Sequence, residues 1–409
     1  MRPPARAIAL ALTLLMLHPP LARMMTLATG VSLQGFSAIA EDDDDDDDDD
    51  DDKRPELAVS GLTETELERL RQEGFGVVST RRLSLLPGVT ARLTIPRKVS
   101  RAHAVSRVRA INPSATVDGN TLYRQNYTVQ SGTGSPGEGI SDPFSLVDWP
   151  HDDACAARGP IGLIDTAVDP ANPALAGRSI ERETVRGPQY RPSSTDHGTA
   201  IAILLVGHGP FEGGAPDAKL VAVDAFHRDG TQDLADTFDL VTAIDMLVAR
   251  KVAVINLSIA GAENALLDLA GRAALDKGVL VAAAAGNNGP AGPPSYPAAY
   301  PWAVAVTAVD GRLAAYPRAA RGGYIALAAP GVRLALPATD GKLHLLTGTS
   351  FAAPFVTVAL DALKGQAPGM RPTELVHFLK ASARDLGAPG PDPVFGAGLL
   401  QLRAACGRS

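Results

Sequence analysis

The chain has 409 residues, 45% hydrophobic and 20% charged, enough for one large or two smaller globular domains plus appendages. Aromatics make up only 5%, so a core has to be built from Ala, Val, Leu and Ile. The formal net charge of −7 falls in blocks: residues 41–52 are all acidic, residues 53–124 hold thirteen Lys/Arg against six Asp/Glu, and residues 125–409 hold 22 against 27. Such blocks mark separate parts of the chain and argue against a basic nucleic-acid binder.

Residues 1–40 read as an export signal. Arg2 and Arg6 precede the apolar run 7–17, which is too short to cross a bilayer, and Ala38-Ile39-Ala40 is an A-x-A cleavage pattern. Pro19, Pro20 and Arg23 interrupt the pattern, so the cleavage point is not fixed. No later segment has 18 consecutive apolar residues, so no membrane span is expected and the product should be secreted or periplasmic. Residues 41–54 form an acidic tract that cannot bury anything and should be a disordered, solvated spacer. Weak calcium binding, or pairing with the basic segment after it, is the alternative.

Residues 55–124 read as a small α/β module. "LAVSGL" is strand-like, and "TETELERLRQEG" is an amphipathic helix with Gly74 as its stop. "FGVVST" and "GVTARLTIP" alternate like strands. Apolar residues at 99, 102, 105, 108 and 111 predict a helical stripe, and "SATVDGNTLYR" a closing strand. This order matches a split βαβ, ferredoxin-like unit. Residues 125–154, rich in Gly, Ser, Pro and Asp, are expected to be an exposed linker.

From residue 155 to 409 buried strands alternate with helices: "GPIGLID", "HGTAIAILLVG", "AKLVAVDAF", "DTFDLVTAIDMLVAR", "VAVINLSIA", "LLDLAGRAALDKG", "VLVAAAAG" and "AVAVTAVD". Short apolar runs between helices imply a mostly parallel sheet covered on both faces, with its site outside the strands' carboxyl ends. The two cysteines, Cys155 and Cys406, sit near the ends of this segment as a candidate disulfide, with two buried free thiols as the alternative.

Four polar residues stand at strand exits or helix entries in this part. Asp165 ends "GLID", His197 opens "HGTAIAILLVG", Asn287 follows "VAAAAG", and Ser350 lies in "GTSFAAPF". Singly each has a plain explanation: Asp and Asn suit turns, and Ser suits a helix N-cap. Together they supply a nucleophile, a base, a carboxylate to orient the base and an amide to hold an oxyanion. Pro354 also lacks an N–H, so the Ser350 carbonyl loses its usual helical donor. The helix after it is apolar on every side, as in a helix through a domain's centre.

"IGLIDTAVDPANPAL", "HGTAIAILLVGHG", "VINLSIAG", "VAAAAGNNG", "YPAAYPWAVAVTAVD" and "GTSFAAPFVTVAL", in this order over residues 159–403, resemble the blocks of the subtilisin-like serine proteases. The resemblance implies a three-layer subtilisin-like domain. Asp165 would orient His197, His197 would act as base and then acid, and Ser350 would be the nucleophile, with Asn287 and the Ser350 N–H as oxyanion hole. Ser258, Ile259, Ala260 and Gly261, with Ala284, Ala285 and Gly286, would line the substrate cleft. These segments are uncharged, which suggests an apolar or aromatic side chain before the scissile bond. The module 55–124 resembles the family's propeptide, an intramolecular inhibitor, with processing in the linker after Tyr123.

Some positions depart from the family pattern. Ala167 stands where relatives have Gly, Ala200 replaces the second His of "HGTH", and Phe355 replaces a common His. Ala174 stands where many relatives have a calcium-binding Asp, so that structural calcium site is doubtful, and no cofactor is required for the chemistry. No catalytic metal cluster is evident in the sequence. The partners implied are polypeptide substrates and the chain's own propeptide, with a monomer as the default. The rival readings are a silent subtilisin-like binding scaffold, or an esterase or peptide ligase on the same triad.

Overall fold

The computed structural model describes residues 54–131, 140, 142–150, 156–157 and 159–406; the expected export signal and the acidic run 41–52 lie outside them. The N-terminal part runs β1 (Glu56–Leu62), α1 (Glu64–Gln72), β2 (Gly76–Arg81), β3 (Val89–Thr94), α2 (Arg101–Ile111) and β4 (Thr116–Gly119). Its four strands form an antiparallel sheet in the order β2-β3-β1-β4. Helix α1 starts at a reciprocal cap: Thr63 Oγ1 accepts from Glu66 N at 3.2 Å while Glu66 Oε2 accepts from Thr63 N at 2.8 Å. The stripe foreseen on α2 is partly displaced. Ala104 and Val108 are buried and Ala102 is exposed, because a strict three-residue spacing drifts off the face of a 3.6-residue helix.

The closing strand "SATVDGNTLYR" is two strands. After β4 the chain leaves the module's sheet, and β5 (Leu122–Arg124) joins a different sheet. An exposed linker over 125–154 is likewise not what the described residues form. β6 (Thr128–Ser131) pairs antiparallel with a strand more than two hundred residues later, and Phe144 and Val147 are buried in the core. Phe144 lies 4.7 Å, centroid to centroid, from Phe355. These partners are remote in sequence, so local composition carried no sign of them.

The larger part contains β7 (Ile161–Asp165), β8 (Ile180–Thr184), α3 (Asp196–Val206), β9 (Leu220–Asp224), β10 (His227–Asp229), β11 (Gln232–Asp236), α4 (Thr237–Ala249), β12 (Val254–Leu257), α5 (Ala265–Asp276), β13 (Leu280–Ala284) and β14 (Ala303–Val309). It continues through β15 (Ile325–Pro330), β16 (Leu334–Pro337), β17 (Leu343–Thr347), α6 (Ala353–Gln366), α7 (Pro372–Ala381) and α8 (Leu402–Cys406). Seven strands form the central sheet in the order β15-β14-β13-β12-β7-β9-β8, and every neighbouring pair is parallel. Alternate residues go to opposite faces: Val254, Leu280 and Ala282 join the core around α3 and α6, whereas Ile255, Val281 and Ala283 join the core around α4 and α5. Helix α6 is buried from Ala353 to Leu363, as its all-round apolar sequence foretold. The polar edge strand β8, "IERET", has no apolar run and escapes a pattern-based reading.

Cys406 is disulfide-bonded, while Cys155, the other cysteine of the chain, lies outside the described residues.

Candidate active site

Chain order in the sheet reverses beside β7. The chain first builds β8 and β9 on one side, then returns to lay β12 on the other. A crevice forms outside the carboxyl ends at such a point. Asp165 ends β7, residues 258–261 follow β12, and Asn287 follows β13, so all stand at this end of the sheet.

His197 sits in the first turn of α3 and is wholly buried. Its Nδ1 lies 2.7 Å from Asp165 Oδ1. The same oxygen accepts from Thr166 N at 2.7 Å and from Gln125 Nε2 at 2.7 Å. A carboxylate can only accept, so the shared proton belongs on Nδ1 and leaves Nε2 with a lone pair. That Nε2 is buried with no hydrogen-bond partner among the described residues. Gly198 makes the placement possible. A Cβ there would stand 2.2 Å from the Thr166 carbonyl oxygen, so only glycine lets α3 begin against the Asp165 turn.

Ser350 lies in a short 3₁₀ turn, Thr349–Phe351, ahead of α6, and caps nothing. The carbonyl that Pro354 deprives of its donor is satisfied by Ser258 Oγ at 2.7 Å, and Ser258 Oγ in turn accepts from Asn256 Nδ2 at 2.8 Å. Ser350 Oγ donates to the Ser258 carbonyl at 3.2 Å. Phe351, the next residue, places its ring 5.4 Å from that of His197.

Asn287 is held in one orientation. Thr349 N–H donates to its Oδ1 at 3.1 Å and Thr349 Oγ1 at 3.0 Å, while Thr349 Oγ1 accepts from Gly286 N at 3.1 Å. A backbone N–H cannot accept, so Oδ1 must face it and Nδ2 must point away. Nδ2 donates to the main-chain carbonyl of Asn126.

The crevice is filled by residues 122–128. β5 pairs antiparallel with β11 on one side, and on the other Arg124 exchanges two backbone hydrogen bonds of 3.0 Å with Ala260. Tyr123 is fully buried against Gly261, with its hydroxyl donating to the Ala262 carbonyl at 3.0 Å. The Tyr127 ring covers His197 at 4.7 Å. Of the foreseen cleft residues, Ala260 and Gly261 touch this segment directly. Ser258 points its hydroxyl at the Ser350 carbonyl instead, and Ile259 is buried in the core. Ala284, Ala285 and Gly286 lead from β13 into Asn287. Sequence reading missed Gln125, Tyr127 and Thr349, since none belongs to a periodic pattern and only the fold brings the first two to the crevice.

Electrostatics add one more group. Asp224 pairs in register with Asp165 across β7 and β9, and burial pushes its carboxyl up to about 6 against hydrogen bonds from Ser193 and the Phe226 N–H. Ala174, at the position where the sequence raised doubt about a calcium ligand, is buried in the core and offers no side-chain oxygen.

The subtilase family matches residues 160–398, more than half of the chain. Minor extracellular protease Epr of Bacillus subtilis strain 168 is 32% identical over 212 residues, which are 51% of this chain but only 32% of that protein, so the chain spans about a third of Epr's length. Thermophilic serine proteinase of Bacillus sp. strain AK1 is 30% identical over 305 residues, 72% of this chain and 73% of that one. Fervidolysin from Fervidobacterium pennivorans, described as a keratinolytic enzyme related to subtilisin, superposes with a TM-score of 0.69 over 87% of this chain and 61% of its own. At 22% identity that likeness shows the fold.

Proposed function

Because the chain belongs to the subtilase family, we propose that it is an exported serine endopeptidase made as an inactive precursor, with Asp165, His197 and Ser350 as its triad and Asn287 as an oxyanion donor. The observation that carries this reading is a peptide carbonyl, that of Asn126, hydrogen-bonded by Asn287 beside the Asp165–His197 pair.

In the reaction, Ser350 Oγ attacks a peptide carbonyl carbon as its proton passes to His197 Nε2. Asp165 stabilises the imidazolium through Nδ1–H. The carbonyl oxygen becomes an oxyanion that Asn287 Nδ2 and the Ser350 N–H hold. Collapse breaks the C–N bond, and the departing amine takes the proton from Nε2. Water then cleaves the acyl-serine ester by the same steps in reverse roles. Ser350 Oγ now rests on the Ser258 carbonyl rather than on Nε2, and a hydroxyl on one rotatable bond can turn between them.

Residues 55–124 would act as the intramolecular inhibitor. Several contacts support this. Asn120 Oδ1 accepts from Phe238 N at 3.1 Å and the Thr121 carbonyl from Thr237 N at 3.0 Å, both at the start of α4. Asp118 Oδ2 accepts from Ala265 N at 2.9 Å at the start of α5. These acceptors meet free N–H groups and the positive ends of two helix dipoles. Arg92 ties the same surface to Asp236 at 2.7 Å. The opposite net charges of the two parts favour this docking.

Among the described residues no helix is long and apolar enough to cross a membrane. A secreted or periplasmic product fits that and the signal-like N-terminus. Casein digestion by the purified wild type and by Ser350→Ala tests the proposal. Digestion by the wild type alone is the expected outcome. Absence of digestion by both, with the N-terminal part removed, would leave a silent scaffold. Ester hydrolysis without peptide hydrolysis would leave the esterase reading.

A further inference from the structure

Both strands that flank residues 125–127 are fixed in sheets belonging to the larger part. Upstream, β5 lies between β11 and Ala260; downstream, β6 is paired with β17, Thr128 opposite Thr347. Thr347 is close in sequence to Ser350, so this pairing carries the chain along the loop that bears the nucleophile. Between the two clamps only Gln125, Asn126 and Tyr127 face the catalytic groups, and each meets a different one. Gln125 Nε2 donates to Asp165, Asn126 O accepts from Asn287 Nδ2, and the Tyr127 ring covers His197. A Cβ built on Gly348 would lie 3.3 Å from Asn126 O, from Asn287 Nδ2 and from Tyr127 Cβ alike, which places the 126–127 peptide against the serine loop.

An oxyanion donor marks the carbonyl whose carbon is to be attacked, because it has to bond the oxygen on which charge develops. Here that oxygen belongs to Asn126. Resting on the endopeptidase reading above, we propose that Asn126–Tyr127 is the peptide bond this enzyme cuts in its own chain. Ser350 Oγ bonds to the Asn126 carbonyl carbon, and its proton goes by way of His197 to the Tyr127 nitrogen, which leaves as a free α-amine. Water then hydrolyses the Asn126 ester, leaving a carboxylate on Asn126 and the hydroxyl on Ser350.

The register is set by Tyr123. Its ring is fully buried on Gly261, where a Cβ would come within 2.4 Å of the ring, and its hydroxyl is bonded to the Ala262 carbonyl. An extended chain advances about 3.3 Å per residue, so a slip of one residue would take Tyr123 out of this site and Asn126 away from Asn287 together. The bond assigned has an uncharged polar residue before it and an aromatic one after it. That differs from the apolar or aromatic residue suggested by the uncharged cleft segments, and it puts the aromatic anchor farther upstream.

The test is intact-mass and N-terminal analysis of full-length protein expressed as wild type, Ser350→Ala and Tyr123→Ala, with casein digestion measured in parallel. A wild-type product beginning at Tyr127, a fragment ending at Asn126, and an uncut Ser350→Ala chain are expected. Tyr123→Ala should be cut at least tenfold more slowly or at a shifted bond, whereas Tyr123→Phe, which keeps the ring, should still be cut at Asn126. A synthetic peptide of residues 119–131 offered to the processed enzyme removes any dependence on folding of the variants and should be split at the same bond. Casein digestion combined with a first cut at another bond, or with no cut in either chain or peptide, would overturn this assignment and leave the endopeptidase reading standing. Loss of both casein digestion and processing would overturn that reading as well.

Discussion

The side-chain amide of Asn287 donates to the main-chain carbonyl of Asn126, which lies 161 positions away in the chain. Its other end is locked by Thr349, so the donor is aimed before any charge appears. Asn287→Ala should therefore lower kcat by about 10²–10³, or roughly 2.7–4 kcal/mol of transition-state stabilisation. Steady-state kinetics on a chromogenic peptide would show this with KM little changed. A loss confined to KM would mean that Asn287 only binds substrate.

Asp165 fixes the His197 tautomer through the 2.7 Å contact at Nδ1. Asp165→Asn would offer an N–H or a weaker acceptor there and favour the wrong tautomer, so kcat should fall by about 10⁴. Because the change is isosteric, the urea midpoint should move little, and a collapse of the midpoint would assign Asp165 a structural role instead.

Gly198→Ala tests how closely α3 must approach the Asp165 turn. The new methyl would stand 2.2 Å from a backbone oxygen, so the helix start and His197 would have to shift. A displacement of about 1 Å at a catalytic group can cost about 10² in rate. Unchanged kcat in this variant would show that the approach is looser than the structure indicates.

The Ser258 hydroxyl holds the backbone of Ser350. Ser258→Ala leaves the buried Ser350 carbonyl and Asn256 Nδ2 each without a partner. About 1–3 kcal/mol of stability should be lost, read as a lower urea midpoint at constant slope. A midpoint within error of the parent would contradict this.

The docked N-terminal part should respond to pH through Asp239. Burial first, and then the charge of Asp236, pushes the Asp239 carboxyl up to about 8; Glu56 adds to the push, while Arg92 and Arg81 pull against it. Burial lowers the His227 imidazole, on β10. A carboxyl raised in the folded state binds a proton that the unfolded chain releases, so its contribution is complete below about pH 4 and is lost as pH rises through about 8. In the Ser350→Ala background, the thermal midpoint should fall between about pH 6 and about pH 9. Adding Asp239→Asn should flatten that fall, and an equal slope in both chains would exclude Asp239 as its source.

How far the sequence revealed all this depends on the range of the interaction. Asp165, His197, Asn287 and Ser350 sit at the ends of elements whose apolar pattern is local, so their convergence could be read from strand and helix order. The satisfied carbonyl of Ser350 was likewise foreshadowed by Pro354. Processing after Tyr123 was implied by the propeptide resemblance alone, and residues 125–131 read as linker, because their order comes from β17 and from catalytic-site groups far along the chain. Tyr123 and Tyr127 look like isolated aromatics until the fold supplies Gly261 and His197 as their surfaces. Ser258 was placed among the substrate contacts because the family resemblance implies that segment, and a resemblance does not give the direction of its hydroxyl.

The proposed function requires that Ser350 be a nucleophile activated by His197. Its most direct test is reaction of the processed enzyme with an active-site-directed fluorophosphonate, followed by peptide mapping and rate measurement. A single adduct on Ser350, forming at least tenfold more slowly in Asp165→Asn and absent in His197→Ala, is the predicted result. An adduct elsewhere, or labelling of Ser350 at the same rate without His197, would contradict it.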